Sequence, residues 1–293
     1  MKYKKIVVFG EILYDVFEDR KRLGGAPFNV AYNCYMMGAD VLFLSSIGRD
    51  KEGLEIEEFF NKSGFDSSCV KRLNNATTGR VEVVLKDKEP TYNIVDGVAY
   101  DYIDTCLEEI DSDDILYAGT LALRHKNNQN SFKKLISTSE NLFLDVNLRE
   151  PFYSRDVLEL TIGAARWLKI NYDELYVIKK MFNLVKDDHI ELCYELKKAF
   201  DIEKVILTMG EKGAMSIASD VSYAEAKKVQ NFVDSVGAGD AFSSVYIAGL
   251  KEGREDEAKL LDDAASFSAK VCTLRGAITS SRTFYKEQGE VDG

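Results

Sequence analysis

Short apolar runs recur along the chain, and each is followed by a longer segment whose apolar residues have helical spacing. The runs are typical of buried strands in a parallel sheet and lie at 6–9, 41–45, 115–118, 142–146, 166–170 and 205–208. The helices predicted between them include 51–62, 129–138, 173–183 and 190–200. Strands that alternate with helices in this way predict an α/β fold, a doubly wound α/β/α sandwich.

Glycine and polar residues follow the end of every predicted strand. In chain order these are Gly10-Glu11, Gly48-Arg49-Asp50, Gly119-Thr120, Asn147-Leu148-Arg149, Asn171 and Gly210. Open α/β sheets bind their ligands at the carboxyl edge of the strands. We therefore expect these residues to share one cleft.

Two segments, 15–23 and 77–102, interrupt the alternation of strands and helices. The first is rich in charge, and the second alternates apolar and polar residues on both sides of a turn at 86–90. This pattern predicts a separate small sheet, the lid, with a hairpin at the edge of the main sheet as the alternative. A sheet of this size with one apolar face must cover something.

The run Gly237-Ala238-Gly239-Asp240 precedes an apolar segment with helical spacing. Two glycines permit a tight turn and the close approach of a ligand, and the amides of a first helical turn favour an anion such as phosphate. Asp240 would stand beside that anion, where a carboxylate can accept the proton of an attacking hydroxyl. The alternative is a glycine turn in which Asp240 only caps the helix.

A second glycine loop, Gly24-Gly25, precedes a helix start marked by Pro27. Asn29 lies one turn into that helix, and Asp15 precedes the loop. A carboxylate that accepts two hydroxyls and an amide that both donates and accepts are suited to a sugar. We predict that Asp15, Gly25 and Asn29 bind the substrate.

Taken together, these motifs resemble the two signatures of the ribokinase-like, or PfkB, carbohydrate kinases. Their residue sequences are most similar to those of bacterial fructokinases, with GEILYD at 10–15, GGAPFNVA at 24–31, DVNLR at 145–149 and VGAGD at 236–240. The resemblance covers nearly the whole chain. It implies a single ribokinase-like domain over 1–293, with a lid formed by 15–23 and 77–102.

The resemblance also implies an activity, the ATP-dependent transfer of the γ-phosphoryl group to a primary hydroxyl of a small sugar. Fructose is the first candidate, and 2-keto-3-deoxygluconate, ribose or a nucleoside are alternatives within the family. A non-catalytic sugar-binding regulator is a further alternative, although Asp240 and both glycines of its motif are intact. A dinucleotide-dependent dehydrogenase is disfavoured, because Gly10-Glu11-Ile12 after the first strand lacks the G-x-G-x-x-G fingerprint.

By resemblance, Asp240 is the catalytic base, and the amides of Gly237, Ala238 and Gly239 form an anion hole for the transferring group. Asn171 and Glu174 match an N-x-x-E motif, in which Glu174 would act on Mg²⁺ through water. The same spacing is also a common helix start.

The resemblance also implies further contacts with the nucleotide. Arg149 would pair with phosphate or with a carboxylate of the site, although an arginine after a strand is often only a surface residue. The loop with Thr208, Gly210 and Gly213 would bind the nucleotide, and 264–277 would form the far wall of its pocket. A K⁺ site near Asp234 is a further implication, although Ser235 and Val236 stand where relatives often have threonines.

Composition narrows the range of partners. The formal net charge of −11 argues against nucleic acid and against an anionic membrane surface. Five scattered cysteines without a C-x-x-C motif indicate reduced thiols, and the short apolar run after the basic start indicates a first strand rather than a signal peptide. These features predict a cytoplasmic protein. The apolar residues of the lid predict a homodimer in which the lids cover each other's sugar sites.

Overall fold

Thirteen strands are found in the computed structural model, which describes residues 3–86 and 89–286, with the backbone alone at 84–86 and 89–92. They are β1 (Ile6–Phe9), β2 (Leu13–Val16), β3 (Lys21–Gly24), β4 (Val41–Gly48), β5 (Val70–Leu73), β6 (Gly79–Lys86), β7 (Glu89–Ile94), β8 (Ile115–Ala118), β9 (Leu142–Asp145), β10 (Trp167–Asn171), β11 (Lys204–Thr208), β12 (Ala214–Ile217) and β13 (Val221–Ala224). They form two sheets.

The larger sheet has the order β13-β12-β11-β10-β9-β8-β1-β4-β5. Within this sheet, β5, β4, β1, β8, β9, β10 and β11 form parallel pairs with their neighbours. The pairs β11–β12 and β12–β13 are antiparallel. All six predicted strands belong to the parallel part. β4 is longer than predicted and extends to Gly48, because β5 pairs with residues 45–48.

Helices cover both faces of this sheet, which confirms the doubly wound sandwich. They are α1 (Ala26–Met36), α2 (Lys51–Ser63), α3 (Lys126–Thr138), α4 (Arg155–Ile162), α5 (Tyr172–Phe182), α6 (His189–Phe200), α7 (Ala238–Glu252), α8 (Glu257–Val271) and α9 (Arg282–Lys286). Ile6 and Val8 pack into the core beneath α1, α2, α7 and α8, and Val7 and Phe9 pack into the core beneath α3 to α6. Alternate residues of one buried strand thus serve two cores.

The smaller sheet has the order β3-β2-β6-β7 and is separate from the main sheet. The alternative of an edge hairpin is therefore wrong. β6 and β7 pair antiparallel, and β2 joins them in parallel to β6. Val81 and Ile94 of this sheet are buried and belong to the same core as Val7 and Phe9.

The loop after β4 attaches the smaller sheet to the main body. Asp50 accepts hydrogen bonds from the amide and the hydroxyl of Thr78, at 2.7 and 2.6 Å, and it also caps α2 through the amide of Gly53. Asp50 does not line the large cleft at this edge of the sheet, so the expectation that every strand-end loop shares one cleft is wrong.

One expectation about the cysteines is also wrong. Cys69 and Cys106 form a disulfide, with their Cα atoms 6.2 Å apart, while Cys34, Cys193 and Cys272 are buried free thiols. The pair could not be predicted from the sequence, because its members lie 37 positions apart, on either side of the β6–β7 hairpin. In the part of the chain that the structure describes, no helix is both long and apolar enough to cross a membrane.

A buried ion pair fixes the segment that leads from the smaller sheet back to the main body. The Arg124 side chain is 4% exposed and makes two hydrogen bonds of 2.8 Å to Asp101, whose side chain is fully buried. Arg124 also donates to the carbonyl of Val95 and lies over the rings of Tyr100 and Phe152. Removing one partner of such a pair leaves an uncompensated buried charge.

We therefore expect Arg124→Met to lower the free energy of unfolding by about 3–5 kcal/mol, the cost of breaking a buried ion pair. A denaturant titration measures this change. The control is Lys71→Met, which breaks the exposed pair with Asp104 on the same segment and should cost at most about 1 kcal/mol. Equal small losses in both variants would contradict the assignment.

Candidate active site

A cleft of about 870 Å³ opens at the carboxyl edge of the main sheet. The predicted site residues that line it come from three places in the chain. They are Asn171, Glu174, Thr208, Gly210, Gly213, Ala238, Gly239 and Asp240. The fold therefore brings together the predicted nucleotide loop, the N-x-x-E motif and the predicted base.

The amino end of α7 is shaped by Gly237. This residue has φ of +80° and occupies the N-cap position, and a Cβ atom there would lie 2.2 Å from the Cβ of Ala277. No side chain caps the helix, and Asp240 lies in its first turn, so the alternative of Asp240 as a plain cap is not what the structure shows. The amide of Ala238 donates a hydrogen bond to the carbonyl of Ser235. An anion bound at this helix end would have to share this amide with Ser235 or displace the carbonyl.

A hydrogen bond joins the two signature motifs. The side-chain amide of Asn29 donates to Oδ2 of Asp240 at 2.7 Å, across 211 positions of sequence. Asn29 is 4% exposed, and its Oδ1 atom has no hydrogen-bond partner among the residues that the structure describes. Gly25 is the N-cap of α1 with φ of +106°, and a Cβ there would lie 2.5 Å from the carbonyl oxygen of Glu11. The predicted sugar loop therefore lies directly beside the predicted base.

The acids around this contact have raised pKa values. Removal from water raises the pKa of Asp240 to about 6, against the opposing effect of the Asn29 hydrogen bond. Burial likewise raises the pKa of Glu11 to about 7, and one of its carboxylate oxygens has no partner. Burial also raises the pKa of Asp15, and the nearby charges of Arg149 and Arg22 partly offset it. Clustered acids with raised pKa values in a cleft are typical of functional sites.

Asn171 and Glu174 form a reciprocal capping box at the start of α5. The side chain of Asn171 accepts from the amide of Glu174, and Oε2 of Glu174 accepts from the amide of Asn171 at 2.8 Å. The other oxygen, Oε1, accepts from the amide of Leu148 at 2.8 Å. The alternative of a helix start is therefore confirmed, and the same two residues line the cleft. Their role toward Mg²⁺ stays a prediction.

This donor set suits a magnesium ion held mostly by phosphate and water. Each Glu174 oxygen already accepts one backbone hydrogen bond, which leaves its remaining lone pairs for a water ligand of the ion. Among the described residues, no group of three His, Cys, Asp or Glu side chains is arranged to hold a metal. The residues thus fit an outer role for Glu174.

Thr208, Gly210 and Gly213 lie in the hairpin between β11 and β12. Gly213 has φ of +85°, and a Cβ there would lie 2.1 Å from the carbonyl oxygen of Ala224. The opposite wall of the cleft includes Ala265, Ser268, Ala269 and Cys272, from the predicted segment 264–277. These two walls are distant in the sequence, and the tertiary fold brings them together.

Two residues have surroundings that differ from the prediction or were not foreseen. Arg149 is exposed and does not line the cleft, and its charge acts on Glu11, Asp15 and Asp240. Its predicted contact with the nucleotide stays a prediction. Lys169 lines the cleft and was missed by the sequence reasoning, although a lysine within the buried strand Trp167–Asn171 was the available signal.

The comparisons with known proteins agree with this geometry. The model of the pfkB family of carbohydrate kinases matches residues 2–283. The chain therefore belongs to this family and is an ATP-dependent phosphotransferase.

Similar proteins include a fructokinase of Escherichia coli, 25% identical over 94% of this chain and 95% of the relative. The structure resembles that of a fructokinase with bound ATP from Xylella fastidiosa, with a TM-score of 0.83 and 21% identity over 98% of this chain and 100% of the other. It also resembles an aminoimidazole riboside kinase of Salmonella enterica, with a TM-score of 0.80 and 19% identity over 98% and 100%.

The raised pKa of Asp240 predicts a pH profile. A base must be ionised, so kcat/KM should rise as pH increases through about 6, instead of near 4 as for an ordinary aspartate. Initial rates between pH 5 and 9 give the profile. Glu11→Gln is the control, because Glu11 titrates near 7. Disappearance of the acid limb in this variant would assign the limb to Glu11 instead.

Proposed function

We propose that this enzyme is a fructokinase that transfers the γ-phosphoryl group of ATP to a primary hydroxyl of fructose. The observation that carries the proposal is the hydrogen bond between Asn29 and Asp240. It places the residue suited to sugar hydroxyls beside the residue suited to accept a hydroxyl proton. The similarity to fructokinases supports the choice of sugar.

In this mechanism Asp15, Gly25 and Asn29 hold the sugar with its primary hydroxyl facing Asp240. The carboxylate of Asp240 takes the hydroxyl proton as the new O–P bond forms and the bond to the leaving ADP oxygen breaks. The amides of Gly237, Ala238 and Gly239 stabilise the charge on the transferring group. These roles follow from position and chemistry together.

The nucleotide lies between the hairpin loop and α8 in this proposal. Thr208, Gly210 and Gly213 contact it from one side, and Arg149 balances the acids at the sugar side. Mg²⁺ would be held through water by Glu174 and Asn171, and it supplies charge neutralisation of the phosphates. A K⁺ requirement remains a prediction from the family resemblance.

The alternatives differ in substrate or in catalysis. 2-Keto-3-deoxygluconate, ribose and nucleosides would use the same Asp240 and the same cleft. The similarity to an aminoimidazole riboside kinase keeps the nucleoside among them. A non-catalytic regulator would bind sugar without turnover, and the intact Asp240–Asn29 contact argues against it.

A coupled assay of ADP formation, run with ATP and Mg²⁺ over a panel of these substrates, tests the proposal. We expect the highest kcat/KM with fructose and a reduction of kcat by at least about 100-fold in Asp240→Asn, since only the proton acceptor changes. ATP binding by this variant is the control for folding. A higher kcat/KM for another substrate would overturn the choice of fructose, and more than about a tenth of the wild-type kcat in Asp240→Asn would overturn the base.

A homodimer through the lid stays a prediction, and one of its supports is weakened. Val81, Val83 and Ile94, expected to form an exposed apolar face, are buried within one subunit. The remaining support is the smaller sheet, whose outer strands β3 and β7 each pair on one side only among the described strands.

Sedimentation velocity at micromolar concentration tests the dimer, for which we expect about twice the monomer mass. A fully active monomer would contradict it, and the lid would then close over its own subunit. The organisation as one domain over 1–293 with a lid, and the cytoplasmic location, also stay predictions.

A further inference from the structure

Lys169 brings a charged side chain into the buried part of the main sheet. The residue is 6% exposed, and its Nζ atom lies 2.9 and 2.8 Å from the two carboxylate oxygens of Asp145. A buried charge is tolerated only where it is paired and hydrogen-bonded. An ion pair at this depth is costly to form, which raises the question of what it does.

Asp145 is held from two further elements. Oδ2 of Asp145 accepts from the hydroxyl of Ser243 on α7 at 2.7 Å and from that of Tyr117 on β8 at 3.3 Å. Ser243 lies one turn after Asp240 on the same helix. The carboxylate therefore fixes the ammonium group relative to the start of α7.

The ammonium group faces the predicted anion hole. A Cβ atom built on Gly239 would lie 3.5 Å from Nζ of Lys169, which is the nearest atom outside the neighbouring residues and the helix backbone. A side chain at this position would therefore contact the ammonium group, which lies immediately beside the amino end of α7. Lys169, Gly239 and Asp240 all line the cleft.

Lys169 also carries its charge at neutral pH. Burial disfavours the ammonium form, but the carboxylate of Asp145 outweighs this effect and raises the pKa of Lys169. The amino end of a helix and a fixed cation beside it are together a strong site for a phosphoryl group.

We propose that Lys169 is a further catalytic residue, whose ammonium group contacts the transferring phosphoryl group beside Gly239, and that Asp145 is its positioning residue. The proposal rests on the proposed role of the α7 amino end as the phosphoryl site. In the transition state the cation stabilises the charge on the equatorial oxygens, as preorganised cations do in other phosphoryl transfers.

The test must separate this role from a merely structural ion pair. Lys169→Met alone leaves Asp145 buried without its partner, and loss of activity could then reflect unfolding. The double variant Lys169→Met, Asp145→Asn removes both charges with little change of volume, so its fold should be retained. Thermal unfolding of both variants and the wild type establishes this first.

The decisive measurement is calorimetric binding of ADP and of AMP-PNP to the double variant, with kcat measured alongside. We expect AMP-PNP to bind about 10-fold more weakly, because one charge-assisted contact to the terminal phosphate is lost. ADP affinity should change less than about twofold, and kcat should fall by about 100-fold or more. Unchanged affinity for both nucleotides, or equal loss for both, would overturn the role of Lys169.

The two proposals fail in different ways. If Asp240 is not the base, Asp240→Asn keeps its activity, whatever the nucleotide affinities of the double variant. If Lys169 does not contact the phosphoryl group, the double variant loses its expected difference between AMP-PNP and ADP while Asp240→Asn remains inactive.

Discussion

The meeting of two helix amino ends is the constraint on which the rest of the site depends. α1 and α7 begin at Gly25 and Gly237, both with positive φ, and the hydrogen bond from Asn29 to Asp240 joins their first turns. A side chain at either glycine would collide with backbone or with Ala277. The tight turns therefore bring two polar loops close enough for one ligand to contact both.

Around this junction, charge is distributed between paired and unpaired groups. Lys169 and Asp145 form an ion pair in the wall of the cleft. Among the described residues, Asp240 and Glu11 have no cationic partner in hydrogen-bond contact, and burial raises their pKa values. Paired charges keep the geometry fixed, whereas unpaired acids with raised pKa values are free to exchange protons. This division matches an enzyme that must position phosphate and also accept a proton.

The smaller sheet depends on the main body through several contacts and is not an independent unit. Val81 and Ile94 share the main core, Asp50 anchors Thr78, and Arg22 on β3 forms an ion pair of 2.9 Å with Asp234, just before the start of α7. Arg22 therefore connects the small sheet directly to the loop that precedes α7.

Local sequence determined the parallel strands, the doubly wound fold, the glycine turns and the position of Asp240 at the start of a helix. Apolar spacing and backbone freedom are properties of neighbouring residues. Local sequence also predicted the helix start at Asn171 and Glu174, since a capping box needs only residues three apart. Tertiary structure alone decided the Asn29–Asp240 contact, the Cys69–Cys106 disulfide, the burial of the small sheet's apolar face and the cation beside Gly239. Each of these joins residues from distant segments, and the distance between them depends on how the sheet packs against its helices.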